Sequence, residues 1–477
     1  LPGQYFLDKD LIRGVERLKQ LKYGLHLASQ LGAEYADLQR VEIDEKRVQI
    51  ISNRVIGLNT SSSRGISVRL LAKGRWGTAS GPAEGKDVVR ALMDSAWKMA
   101  SSLPELPQGV HMGDSAPAQG EWQAPCAIDP FALPDSELIQ LLKAADGEMN
   151  IEGISQRVST LYFRREKRRY INSDGTCTEQ IFNYTGGGLQ AWAQEQGQIQ
   201  QRSWPFPGGS YAGRGFEYIQ ELEFPDNARR IAREAVSLTQ APPCPEGVVD
   251  LILTQGQLAM QLQRTCGNRA QLDQPGCFPT EKLGEIRFGS PVLTVLADAT
   301  LPGAAGSFAY DQEGVEAQSF ALVQNGKVVD YLSGRQQATA IGRNSTGAMR
   351  SVGWLPPSPS VTNLVLQPGE GSLEDLVQGI ERGLLLDTPR SFSIDPELHG
   401  FVAQAEMGWL VEDGKISGMV RHPIYSGYPT AFWSGCDAIA GSQAQQELGF
   451  WDQGLIVGHR MVPLRIRGVK VGSFHEN

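Results

Sequence analysis

The chain has 477 residues, 41% of them hydrophobic and 20% charged, with a formal net charge of −9. That is the composition of a globular protein, long enough for roughly two to four domains with a sizeable core. The acidic balance argues against a broad nucleic-acid-binding surface, and no run of about 18 apolar residues offers a membrane-spanning helix. The opening Leu1-Pro2-Gly3-Gln4 shows neither the basic nor the apolar region of a signal peptide. Six cysteines (Cys126, Cys177, Cys244, Cys266, Cys277, Cys436) lie far apart without a Cys-x-x-Cys. That dilution fits reduced thiols in the cytoplasm better than a disulfide framework.

Leu11, Val15, Leu18, Leu25 and Ala28 recur at helical spacings and predict an amphipathic helix over 8–31. Ile66, Val68 and Leu70 alternate with Ser67 and Arg69, the pattern of a half-buried strand. A second helix is predicted over 86–101, with Val88, Val89, Leu92, Ala96 and Met99 on its apolar side. Residues 103–131, rich in Pro and Gly, read as a long connecting loop. Pro134-Asp135-Ser136-Glu137 opens a third helix, with Asp135 as its cap and Leu138, Leu141, Leu142 and Ala145 facing inward.

From 150 to 223 strands dominate, and Ser173-Asp174-Gly175 marks a tight hairpin. The basic run Arg164-Arg165-Glu166-Lys167-Arg168-Arg169 is bracketed by Tyr162, Phe163, Tyr170 and Ile171. It reads as the exposed face of a charged hairpin, not a nucleic-acid site. The glycine-rich stretch from Gly208 to Gly215 lacks the context of a phosphate loop and, with Ala212 at the last position, misses Gly-x-Ser-x-Gly. It reads as a loop. A helix over 226–239 ends at Pro242, Pro243 and Pro245, which places the boundary between two main domains within 220–245.

The expected fold class is α+β. An N-terminal α/β domain (1–225) carries amphipathic helices and a sheet, and a C-terminal β-rich domain with helices (226–477) follows. In the second, Asn325-Gly326 and Asp413-Gly414 predict hairpins. Ser372-Leu373-Glu374-Asp375 offers a capping box for a helix through about 385, and the alternating residues 464–471 predict a closing strand.

The stretch from Leu258 to Asp273 predicts a polar helix with an apolar side, Leu258 and Leu262, that breaks near Gly267. It resembles the metal-binding helix of the TldD/PmbA family of peptidases. Active members carry Leu-His-Glu-x-x-Gly-His and then x-x-Glu-Leu-Asp. Here Leu262, Gly267, Leu272 and Asp273 keep the non-chemical positions. Gln263 and Asn268 stand for the histidines, Arg264 for the glutamate and Gln271 for the later glutamate. The resemblance extends to residues 32–38 and 64–71, to Asp311-Gln312-Glu313-Gly314-Val315, to Ser345-Thr346-Gly347 and to residues 359–364.

The family motif sets its histidines five residues apart, about 140° net on a regular helix, so a bulge or helix end must bring them together. The retained Gly267 permits this. Amides bind zinc poorly, and Arg264 puts a permanent positive charge at the general-base position. The family's third ligand, a cysteine near the C-terminus, corresponds to the region Gly449-Phe450-Trp451-Asp452-Gln453-Gly454, which has none. No catalytic residue, metal or cofactor is therefore assigned to this chain.

His26, His111, His399, His422, His459 and His475 form no His-x-x-x-His or His-x-His and read as surface or satisfied core residues. Cys266 and Cys277, with His459 as a distant base, could form a thiol site, though nothing in the spacing requires it. Asp311 and Glu313 are either a carboxylate pair or residues that shape a turn. Cys266, Gly267, Asp311, Glu313 and Asn363 are the expected cavity residues.

The resemblance implies a non-catalytic family member that pairs with a zinc-bearing TldD-like relative, or with itself, around a cavity for unfolded peptide. It also implies the family's links to peptide maturation, small-protein turnover and modulation of DNA gyrase. A stand-alone binding or regulatory protein is the alternative, and an active hydrolase with a rebuilt centre is a third.

Overall fold

The computed structural model describes residues 4–82, 85–102, 104, 109–195, 197–395 and 400–473, with side chains from residue 18 onward. The side chains of Leu11 and Val15, the residues His399 and His475, and part of the 103–131 segment lie outside what is described. The fold is α+β, as expected.

Helix α1 (Gln4–Leu31) leads into a meander of β1 (Tyr35–Ile51), β2 (Arg54–Ala72) and β3 (Arg75–Pro82). Helix α2 (Lys86–Ser101) follows, and then β4 (Gln119–Gln123) breaks up the segment expected to be all loop. Helix α3 (Asp135–Glu148) precedes a second long hairpin, β5 (Ile154–Asn172) and β6 (Cys177–Glu195), closed at the expected Ser173-Asp174-Gly175 turn. Strands β7 (Gln198–Trp204) and β8 (Ser210–Ala212) both return to β6, so part of the glycine-rich stretch is strand. Helices α4 (Glu217–Glu221) and α5 (Phe224–Gln240) complete this half.

Strand alternation puts Leu38, Ile66 and Val68 under α1 and α2, and Val48, Leu161, Phe163 and Leu189 under α3 and α5. In α2 the buried side is Val89, Met93, Ala96 and Ala100, whereas Met99 is 56% exposed. Asp135 is the first residue of α3 and not its cap; it pairs instead with Lys46 (2.6 Å).

The opposite face of this sheet departs from the half-buried alternation expected of it. Ser67 and Arg69 are buried like their apolar neighbours, because the C-terminal half of the chain covers that side. Glu166 and Arg168 of the basic run are buried too, so the run is not an exposed face. Glu166 accepts from both Arg164 and Arg168, and Arg168 Nη1 donates to Ser351 Oγ (2.7 Å) in the C-terminal half. Neutralised in pairs, these charges tolerate burial that single charges would not.

The C-terminal half begins with β9 (Gly247–Leu253), a central strand of a nine-stranded sheet between Leu464–Ser473 and the parallel strand Arg382–Leu386. The expected hairpins form, with positive φ at Asn325 and Gly326 and at Asp413 and Gly414. The Ser372 capping box forms with Asp375, but its helix stops at Gln378 and not near 385. The apolar residues Leu384–Leu386 are drawn into the sheet beside β9. A second sheet runs 327–328, 319–324, 295–298, 363–366, 455–461, 446–452.

Buried ionic contacts join the halves. Arg69 donates to both oxygens of Asp37 (3.1 and 3.0 Å from Nε) and pairs with Glu313 (3.4 Å). Elsewhere Arg202, fully buried, pairs with Glu406 (3.0 Å) and Glu234 (2.9 Å). Replacing Arg69→Met strands two buried carboxylates, and urea unfolding is expected to show a loss of about 3 kcal/mol or more. An unchanged midpoint would show that this joint contributes nothing.

Candidate functional site

Helix α6 (Gln255–Leu262) starts two residues after β9 and buries Leu258 and Leu262 completely in the core, the apolar side predicted for them. It then widens: Gln263–Gly267 is a π-turn, closed by the Asn268 N–H donating to the Gln263 carbonyl, and Asn268–Ala270 tightens to 3₁₀. The extra residue in the turn carries positions 263 and 268 onto one side. Gln263 Nε2 donates to Asn268 Oδ1 at 2.9 Å. Gly267 lets the turn sit close to the sheet, since a Cβ there would lie 2.9 Å from Leu364 and 3.0 Å from Val361.

The hairpin Gln446–Asp452 and Leu455–Met461 closes the site from the opposite side. Gln263 Nε2 also donates to Asp452 Oδ2 (2.7 Å), and Arg264 pairs with Asp452 Oδ1 (3.0 Å). With its amide turned over, Asn268 accepts from Arg264 (3.2 Å) and donates to Asp452 (3.3 Å), so either orientation ties it to the cluster. His459 Nε2 lies 3.0 Å from Gln263 Oε1, and its ring stacks on Phe450. Since that oxygen only accepts, Nε2 carries the proton and donates. Burial lowers the imidazole to about 3, so it is neutral, and Nδ1 has no hydrogen-bond partner among the described residues.

Thus Gln263, Arg264 and Asn268 do converge with the Gly449–Gly454 region, through Asp452. Gln271 lies past the turn, buried, its backbone bridged to Leu332. This donor set does not fit a catalytic zinc, which takes three imidazole, thiolate or carboxylate ligands and an open position. Only Asp452 and His459 are of that kind, and a guanidinium sits against the carboxylate. Among the described residues no group of three or more His, Cys, Asp or Glu is placed to hold a metal.

A cavity of about 360 Å³ lies beside the cluster and shares His459 with it. Its walls come from residues 204–222, the loop 301–305, and the strands bearing Leu448 and His459. Two ion pairs, Arg214–Glu221 (2.6 Å) and Arg460–Glu447, leave its charged residues neutralised. Tyr211 separates it from a second hollow of about 340 Å³ over the sheet face.

Of the five expected cavity residues, only Asn363 lines this space. It accepts from the Gly306 N–H (2.7 Å) and donates to the Asp298 carbonyl (2.6 Å) and Ser307 Oγ (2.9 Å). Cys266 and Gly267 are enclosed in the core, and burial pushes the Cys266 thiol up to about 12, far from nucleophilic use. Asp311 accepts from the backbone N–H groups of Glu313, Val315 and Met349, and Glu313 from that of Arg335 (2.7 Å), the turn-shaping role. Burial and the neighbouring Glu313 raise the Asp311 carboxyl. The resemblance placed the Gly449–Gly454 region at the motif, but it singled out neither Asp452 nor His459 as a partner of Gln263. The hairpin register, turning at Gln453-Gly454, was the available signal. Residues 210–218 on the cavity wall offered none.

The chain matches three family domains along its length: PmbA/TldA metallopeptidase domain 1 over 36–100, the central domain over 128–241 and the C-terminal domain over 246–473. It belongs to the PmbA/TldA (TldD/PmbA) metallopeptidase family. A metalloprotease of Methanothermobacter thermautotrophicus is 26% identical, across 92% of this chain and 96% of its own. One from Methanocaldococcus jannaschii is 25% identical, across 83% and 87%. The fold is similar to TldE from Thermococcus kodakarensis (TM-score 0.73, 17% identity, 95% and 100% covered). It is also similar to a Thermotoga maritima protein described as a candidate modulator of a DNA gyrase (TM-score 0.78, 17% identity, 95% and 99% covered).

His459 makes stability depend on pH. Its folded pKa is depressed below the unfolded value near 6.5, so the unfolded chain takes up a proton first and stability falls as pH drops from about 6.5 toward 3, by about 1.4 kcal/mol per unit. Between pH 6.5 and 5 the wild type is expected to lose about 2 kcal/mol more than His459→Gln in urea titrations. Parallel losses in both proteins would refute this.

Proposed function

We propose that this chain is a non-catalytic subunit of a TldD/PmbA-type assembly, holding unfolded peptide while a zinc-bearing relative hydrolyses it. The observation that carries this reading is the convergence of Gln263, Arg264, Asn268 and Asp452 on one point. The π-turn brings the motif positions together, but the side chains form a closed set of hydrogen bonds around an ion pair. Hydrolysis by zinc needs a polarising metal and a general base, and Arg264 can act as neither. The strand Gln446–Asp452 is the outer strand of its sheet and borders the cavity, but its outward Gly449 N–H is taken by Ser210 Oγ (3.1 Å), so peptide is held by the cavity walls and not by pairing along that edge. The free cysteines suit a cytoplasmic setting.

The deciding measurement is native mass spectrometry of the protein isolated from its host, with zinc quantified on the same sample. A complex with a zinc-carrying relative, holding about one zinc per pair, is expected. Stoichiometric zinc on this chain alone would overturn the reading, and a zinc-free homodimer would leave a stand-alone binding protein. A gain-of-function variant tests the geometry. Gln263→His/Arg264→Glu/Asn268→His presents two imidazoles beside Asp452 and is expected to bind about one zinc per chain by calorimetry. No uptake by a folded variant would show that the positions do not converge.

A further inference from the structure

The C-terminal half covers the second face of the N-terminal sheet only in part. Where cover ends, that face continues as the floor of the second hollow, with Arg47, Gln49, Thr160 and Gln190 among its residues. The wall is aromatic. Tyr162, Tyr211 and Trp451 meet edge to face, with centroids 6.0 Å, 5.8 Å and 6.1 Å apart. Tyr162 is anchored by donating to Glu45, and Tyr211 by donating to the Gly208 carbonyl (2.9 Å). Trp451 remains 37% exposed, an unusual state for a side chain that gains so much from burial.

The hollow is not isolated. Tyr211 is a wall of both spaces, and the strand Gln446–Asp452 borders the first through Gln446, Glu447 and Leu448 and the second through Trp451. From Leu448 to Trp451 is about 10 Å of extended chain. Ser210 and Tyr211 close the strand's edge between the two spaces at Gly449, so they are neighbouring pockets about three residues of extended chain apart and not one groove along the strand.

We propose that the second hollow is a side-chain subsite for a tryptophan or tyrosine of the bound peptide. An aromatic wall facing a floor of a guanidinium, amides and a hydroxyl suits a side chain with an apolar ring and a hydrogen-bonding edge. Aliphatic residues would leave the floor unpaired, cationic ones would face the Arg47 guanidinium, and a small carboxylate would leave the aromatic wall without an apolar partner. This inference rests on the peptide-holding reading above.

Fluorescence polarisation with labelled decapeptides of Gly, Ser and Ala, carrying one tryptophan at successive positions, tests it on the full chain. At one or two positions tryptophan is expected to tighten binding about tenfold over the tryptophan-free peptide. Trp451→Ala should abolish that gain, and Trp451→Phe should keep part of it. Gln190→Ala should reduce the preference as well. Binding without any tryptophan preference, or a preference that survives Trp451→Ala, would overturn the subsite alone. Failure of every peptide to bind would overturn the peptide-holding reading and the subsite with it.

Discussion

One widened helical turn holds the site together. A regular helix would turn Gln263 and Asn268 away from each other; the single extra residue between Gln263 and Gly267 turns them together. A π-turn gives up regular hydrogen bonding and persists where surrounding packing demands it. Here the demand comes from Leu258 and Leu262, locked in the core before it, and from Leu364 and Val361 pressed against Gly267. The turn survives although the side chains it aims are amides and a guanidinium.

What those side chains do instead is close the site. Gln263 uses both N–H groups and its carbonyl, on Asn268, Asp452 and His459. Arg264 cancels the charge of Asp452. Such a set is stable because each member satisfies another in a largely water-excluded place. A catalytic metal site works the other way, keeping a coordination position open for water.

The second organising feature is a sheet with polar residues on a buried face. Asp37, Arg69, Glu166 and Arg168 are nearly inaccessible, and each has a charged partner. These contacts reach across to Glu313 and Ser351 and hold the C-terminal half over the sheet. Both cavities lie along the same junction, where cover by the C-terminal half gives way to open sheet face and to the loop carrying Tyr211.

The amino-acid sequence by itself determined the local elements. Period and turn chemistry located most helices, the hairpins at Asn325-Gly326 and Asp413-Gly414, and the Ser372 cap, because backbone preferences and side-chain spacing act over a few residues. It also determined which side chains occupy the motif positions, and that a bulge had to lie between Gln263 and Asn268. Tertiary structure decided what these residues face. Whether Arg69 and Glu166 are exposed depends on a layer folded from more than a hundred residues away, and a polar residue reads as surface until its buried partner is known. His459 and Asp452 join Gln263 across nearly two hundred residues, because a hairpin whose own turn is local docks against the π-turn, and no local pattern encodes that docking. The cavity wall from 210 to 218 read as a loop because its role is a shape, and shape arises only when distant segments meet.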